Sequence, residues 1–241
     1  MKIIPAIDIK DGKCVRLEEG DMNRETIYYE DVLEVSKKWF DQGAEILHIV
    51  DLDGAIKGKS INSDIILEIA KIFDNKVIQV GGGVREFVTA KEYLDNGVDR
   101  IIIGTQAVKN VSFIKQLCDS YPNRVILGVD AKEGFIRTKG WKEKTEIKAL
   151  DLVRRYNTFP LAAIIYTDIS RDGMMSGVNL ESTLEIARNT KIPVIASGGI
   201  SNLEQLNQLT SSGLIYGAIS GRAIYEGAFN LEEAIKISNQ S

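Results

Sequence analysis

Two aspartates that each close a short apolar run are the residues of this chain best suited to chemistry. Asp8 ends Ile4-Pro5-Ala6-Ile7-Asp8 and Asp130 ends Ile126-Leu127-Gly128-Val129-Asp130. Two carboxyl groups at one site can divide proton transfer between an acid and a base. Either alone would equally suit the capping of a following loop through backbone N–H groups, so the repetition is what favours catalysis. Glycine-rich words repeat with them: Val80-Gly81-Gly82-Gly83-Val84 returns as Ala196-Ser197-Gly198-Gly199-Ile200. Gly81 and Ser197, Gly97 and Gly213, and Gly104 and Ser220 each stand 116 positions apart, Asp51 and Asp168 stand 117 apart, and Asp8 and Asp130 stand 122 apart. Motifs held in register at one spacing mark a duplicated half of the chain, residues 1–122 against 123–241.

Glycine lets backbone N–H groups approach an anion, and a helix beginning just after it adds its positive end. Gly82 and Gly83 with Gly104 and Thr105 therefore read as one phosphate site, and Gly198 and Gly199 with Gly221 and Arg222 as its copy, tight turns being the structural alternative. Tyr166-Thr167-Asp168-Ile169-Ser170-Arg171-Asp172-Gly173 echoes Ile49-Val50-Asp51-Leu52-Asp53-Gly54. There Thr167 suits a hydrogen bond to a catalytic aspartate or a sugar hydroxyl, and Asp172 suits the loop or the substrate. Asp51, Asp53 and Asp168 suit either loop stabilisation or the site. Arg16 and Arg85 fall in or beside the same loops and suit phosphate or carboxamide. Trp141, in Lys139-Gly140-Trp141, offers an indole that could stack on a flat heterocycle. His48, within the second apolar run, reads as a satisfied structural residue.

These residues need a scaffold that brings the ends of many strands together. Short β-branched runs at Lys2–Asp8, Glu45–Asp51, Lys76–Val80, Arg100–Ile103, Arg124–Asp130, Ala162–Asp168, Pro193–Ala196 and Leu214–Ile219 alternate with amphipathic segments. Those segments are Asp31–Gln42, Asn62–Phe73, Glu86–Asn96, Val111–Ser120, Ile147–Asn157, Asn179–Asn189, Asn202–Ser211 and Leu231–Ile237. Eight strand–helix alternations with nearly all-apolar strands predict a single α/β domain, a (β/α)8 barrel of two half-barrels, with Asp8 and Asp130 facing each other across its mouth. The loops after the first, second, fifth and sixth strands are the longest, and such loops build barrel sites.

The bulk of the chain narrows the function. Its 241 residues, 44% hydrophobic and 27% charged, suit one packed globular domain. A net charge of −4 gives no basic field for nucleic acid. There is no apolar run of membrane-spanning length, and Met1-Lys2-Ile3-Ile4-Pro5 leads straight into a strand without a signal region, which predicts a cytoplasmic protein. Cys14, Cys118 and the single histidine lack metal-ligand spacing, so no metal is expected.

Several words resemble the phosphoribosylformimino-5-aminoimidazole carboxamide ribotide isomerases of histidine biosynthesis over essentially the whole chain. They are Pro5-Ala6-Ile7-Asp8, Val15-Arg16-Leu17 with Gly20-Asp21, His48-Ile49-Val50-Asp51-Leu52-Asp53-Gly54-Ala55, Gly81-Gly82-Gly83-Val84-Arg85, Lys139-Gly140-Trp141, Arg171-Asp172-Gly173 and Ser197-Gly198-Gly199-Ile200. The resemblance implies an Amadori rearrangement of an aminoaldose to an aminoketose, on a small-molecule substrate with a phosphate at each end and without a cofactor; a monomer is expected. It also implies Asp8 as general base, Asp130 as general acid and Thr167 as their support. The cyclase subunit of imidazole glycerol phosphate synthase looks similar, but it would carry a cysteine before the Leu-Asp of the first strand, where this chain has Ala6-Ile7-Asp8, and it lacks the Lys-Gly-Trp loop. A bifunctional isomerase acting also on phosphoribosylanthranilate, and a non-catalytic phosphosugar-binding barrel, are the other readings; the latter would not need both aspartates.

Overall fold

The β-branched runs do form strands, and they pair in parallel because an amphipathic helix returns the chain after each one. The structure is a computed structural model that describes residues 1–18 and 21–239. Gly20 of the Gly20-Asp21 word lies outside the described residues. The barrel strands are β1 (Lys2–Lys10), β4 (Ile46–Asp51), β5 (Val77–Gly81), β6 (Arg100–Ile103), β7 (Val125–Lys132), β10 (Ala163–Asp168), β11 (Val194–Ser197) and β12 (Ile215–Ser220). They run in the order β10-β11-β12-β1-β4-β5-β6-β7, and pairing of β7 with β10 closes the ring. The fold is a (β/α)8 barrel, and β1 and β7, which carry the two aspartates, stand on opposite sides of it.

Four strands lie outside the expected eight. The hairpin β2 (Lys13–Glu18) and β3 (Asp21–Tyr29) follows β1, and the hairpin β8 (Phe135–Thr138) and β9 (Glu143–Lys148) follows β7. Each first strand of a half thus overshoots the barrel rim and folds back antiparallel on itself, Asp8 pairing with Val15 and Lys132 with Phe135. The helix expected from Ile147 begins only at Ala149 (α7, Ala149–Arg155), because residues 143–148 alternate between half-buried and exposed as one edge of this hairpin.

Two apolar layers hold the barrel. Inside the ring, Ile4, Ala6, Ile46, Ile126, Ala163, Ile165, Ile195 and Ile219 fill the lower levels. The opposite strand faces pack under the helices, where Trp39 of α1 (Val32–Asp41) and Tyr93 of α4 (Phe87–Asp95) are nearly or fully buried. Side chains alternate along a strand, so the inward parity of Ile4 and Ala6 carries Asp8 to the top inner level, and that of Ile126 carries Asp130 to the same level opposite. No helix among the described residues is long and apolar enough to cross a membrane.

Candidate active site

The mouth holds a cavity of about 260 Å3 lined by Asp8, Arg16, Gly82, Gly83, Arg85, Gly104, Thr105, Asp130, Trp141, Thr167 and Asp172 among others. A smaller hollow of about 20 Å3 is lined by Gly198, Gly199, Gly221 and Arg222, and it shares Arg16, Asp172, Ser197 and Ile219 with the first. The carboxylates Asp8 and Asp130, Thr167 and the residues read as phosphate-binding thus line one or the other of two adjoining hollows.

The carboxyl groups differ in their neighbours. Burial raises the pKa of both. At Asp8 a guanidinium opposes that rise: Arg16 Nη1 donates to Asp8 Oδ2 at 2.6 Å, with both side chains only 12% exposed. The second Arg16 nitrogen, Nη2, lies 3.7 Å from Asp172 Oδ1. At Asp130 no cation contributes among the described residues; hydrogen bonding by the Trp141 indole and the Thr167 hydroxyl opposes the rise, while Asp172 adds a like charge. Thr167 sits there because it is Asp130's direct partner across the β7–β10 ladder.

Trp141 reaches the site from the β8–β9 turn, where Lys139, Gly140 and Trp141 all have positive φ, of 53°, 62° and 68°. For non-glycine residues that conformation stores strain of about 1–3 kcal/mol each, of a kind common at ligand clamps. The turn is pinned to the neighbouring loop after β6 by Lys139 N–H donating to Thr105 Oγ1 at 3.0 Å.

The glycines are shaped by their neighbours as much as by an anion. Gly82 and Gly198 share φ values of +91° and +89°, and a Cβ on either would run into the carbonyl oxygen of Asp51 or of Asp168, respectively. Those two aspartates organise the loops behind the glycines. Asp51 accepts from Gly54 N, Ile61 N, Asn62 N and Asn62 Nδ2 at 2.8–3.0 Å. Asp168 accepts from Ser170 N, Ser170 Oγ and Asn179 Nδ2. Asp53 accepts from Asp11 N and Asn62 Nδ2, tying the first mouth loop to the second. Of the two readings open for these aspartates, the structure shows loop stabilisation.

The other two arginines also hold loops: Arg85 Nη2 donates to Ala55 O at 2.6 Å, and Arg222 Nη1 to Gly173 O at 2.7 Å. Arg222 Nε also pairs with Glu226 at 2.6 Å. His48 is held as expected of a structural histidine, and it also meets the cavity. One ring nitrogen is satisfied by Gln79, yet the ring itself lines the cavity one level beneath the aspartates. The parity of β4 could have indicated this, since Val50 pairs with Asp8 and His48 shares its face. No cluster of metal-binding side chains exists among the described residues, and both cysteines are buried with thiols pushed up to about 11 by burial.

Residues 2–230 match the family described as histidine biosynthesis protein. A protein of Hahella chejuensis named 1-(5-phosphoribosyl)-5-((5-phosphoribosylamino)methylideneamino) imidazole-4-carboxamide isomerase is 49% identical over 237 residues, covering 97% of each chain. Proteins of the same name from Alkalilimnicola ehrlichii and Pseudomonas aeruginosa are 47% and 48% identical, covering 100% and 97% of this chain and 98% and 96% of their own.

Proposed function

The chain belongs to the histidine biosynthesis protein family, and on that premise we propose that it is the isomerase its relatives are named for. It converts the aminoaldose 1-(5-phosphoribosyl)-5-((5-phosphoribosylamino)methylideneamino) imidazole-4-carboxamide to its aminoketose isomer in histidine biosynthesis. It is an aldose–ketose isomerase, and it works by acid–base catalysis without a cofactor, as a monomer in the cytoplasm.

The observation that carries the mechanism is the unequal company of the two carboxyl groups. Arg16 favours the carboxylate of Asp8, whereas Asp130 is buried without a cation and is the better proton donor. Asp130 gives its proton to the ribose ring oxygen; the C1–O bond breaks as the amine lone pair forms C=N, which opens the ring to a protonated Schiff base. Asp8 then takes the proton from sugar C2, and the C–H electrons form C1=C2 while the C=N pair returns to nitrogen. The enaminol loses its hydroxyl proton and gains one at C1 to become the ketose. Gly82, Gly83, Gly104 and Thr105 receive one phosphate, and Gly198, Gly199, Gly221 and Arg222 the other. Trp141 stacks on the imidazole carboxamide, with Arg85 and Asp172 holding the loops around it.

The test follows conversion of the purified aminoaldose by coupling its product to the cyclase step, in the wild type and in Asp8→Asn and Asp130→Asn. Turnover in the wild type with severe loss in both variants supports the reading. Absence of wild-type turnover, or a variant that retains it, refutes it.

A further inference from the structure

The lower interior of a barrel is normally apolar, and here it holds the polar side chains of His48, Gln79 and Arg100. Ala6, His48, Gln79 and Arg100 are successive register partners across β1, β4, β5 and β6, so their side chains leave the sheet on one inward face. Among them a polar row crosses from the lower barrel to the cavity wall. Gln79 is fully buried, its Nε2 lies 3.1 Å from His48 Nδ1, and its Oε1 has no partner. Arg100 Nη1, on the neighbouring strand, is also buried and unpartnered.

The contact itself sets the roles: an amide NH2 can only donate, so where Gln79 Nε2 meets His48 Nδ1 the ring nitrogen is the acceptor. With Nδ1 accepting from Gln79, the single proton of a neutral imidazole has to sit on Nε2. Among the described residues Nε2 meets no protein partner, and His48 lines the mouth cavity.

We propose that Gln79 is a positioning residue that holds His48 in its Nε2–H tautomer, so that the cavity floor presents a neutral hydrogen-bond donor to an oxygen of the bound sugar. Burial, with Arg16's charge adding to it, lowers the His48 pKa to about 4, which keeps the ring neutral at physiological pH. That the acceptor is a ribosyl oxygen rests on the isomerase reading; the tautomer does not. A neutral imidazole donor of this kind polarises an oxygen without delivering a proton to it, and so does not compete with Asp130.

The chain has a single histidine, so its imidazole gives one unambiguous set of signals. The experiment is long-range 1H–15N correlation on the full 15N-histidine-labelled protein at pH 7.5, without ligand and with the aminoketose product. The expected wild-type spectrum is that of the Nε2–H tautomer, with the Nε2 resonance shifting when product binds. Gln79→Glu, which can only accept, should convert the ring to Nδ1–H or to imidazolium and lower kcat/KM about tenfold, as for one lost hydrogen bond. Gln79→Met, close in size, should give a mixture of tautomers. A wild-type ring in the Nδ1–H or imidazolium form overturns the proposal whatever the variants do. So does a tautomer unmoved in folded Gln79→Glu or Gln79→Met, or an Nε2 resonance indifferent to product that is demonstrably bound. Absence of turnover with the expected spectra would instead refute the isomerase reading and leave the tautomer assignment standing.

Discussion

Asp8 and Asp130 stand at corresponding levels of opposite barrel strands, and what surrounds them differs. In the second half Asp130 has Thr167 as its partner across the adjacent strand; in the first half the matching partner of Asp8 is Val50. In the second half a hairpin delivers the Trp141 indole on a strained turn, and in the first it delivers the Arg16 guanidinium from a strand whose pairing shifts register before Val15 and after Leu17. Burial raises the pKa of both carboxyl groups, and what opposes the rise differs: a guanidinium beside Asp8, a hydroxyl and an indole beside Asp130. On the proposed mechanism that difference is what would divide the pair into a base and an acid.

The largest effect should come from removing either member. Asp8→Asn and Asp130→Asn should each lower kcat by at least about 100-fold with a smaller change in substrate binding. Steady-state kinetics decide it, and near-normal turnover in one variant would strip that residue of its role.

Next come the glycines, where the halves should differ in degree. A Cβ at Gly82 overlaps the Asp51 carbonyl more severely than one at Gly198 overlaps that of Asp168, which it meets at 2.8 Å. Both alanine variants should lose more than about 1 kcal/mol of stability, Gly82→Ala the more. Thermal unfolding measures this, and equal, negligible shifts would show the loops behind the glycines to be softer than the geometry demands. It follows that weakened phosphate binding in such variants reports the loop as well as the anion.

The pH dependence of kcat/KM separates the two carboxyl environments directly. Asp8 must be ionised to act as base, and Arg16 lowers its pKa; Arg16→Met should raise that pKa and move the acidic limb of the profile to higher pH. Asp130 must be protonated to act as acid, and the Thr167 hydroxyl lowers its pKa; Thr167→Val, which copies Val50 into the second half, should move the alkaline limb to higher pH and reduce turnover. If Arg16→Met moved the alkaline limb instead, the acid and base assignments would have to be exchanged.

The smallest signal is optical. Ligand binding should change tryptophan fluorescence through Trp141, and Trp141→Ala should abolish most of the change and weaken binding by roughly 0.5–1.5 kcal/mol. Trp39 is 2% exposed on α1, with its Nε1 donating to Tyr225 OH at 3.3 Å. Trp39→Phe should leave the ligand signal intact. A signal that followed Trp39 would place the moving element beside α10 (Arg222–Tyr225), which carries Tyr225, and not at the β8–β9 turn.

Much of this molecule is written in local order. The alternation of apolar runs set the eight barrel strands to within two residues at each end. Polar residues ahead of helical segments marked real starts: Asp31, Asn179 and Asn202 each accept from a first-turn N–H. The two extra hairpins lie beyond the eight apolar runs because their strands are rich in charged and polar residues, and the few side chains they bury, Cys14, Val15 and Leu17 in β2 and Ile136 and Thr138 in β8, are too few to stand out as an apolar run. Closure of the ring decided the rest. Arg16 meets Asp172 and the backbone of Gly221 only because the barrel brings β2, the loop after β10 and the end of β12 to one rim. His48 and Gln79 meet only because β4 and β5 pair in one register out of several that their apolar patterns would allow. Residue type and periodicity determine which groups can do chemistry; the tertiary register determines which stand within 3 Å of each other, and proton affinity depends on that distance.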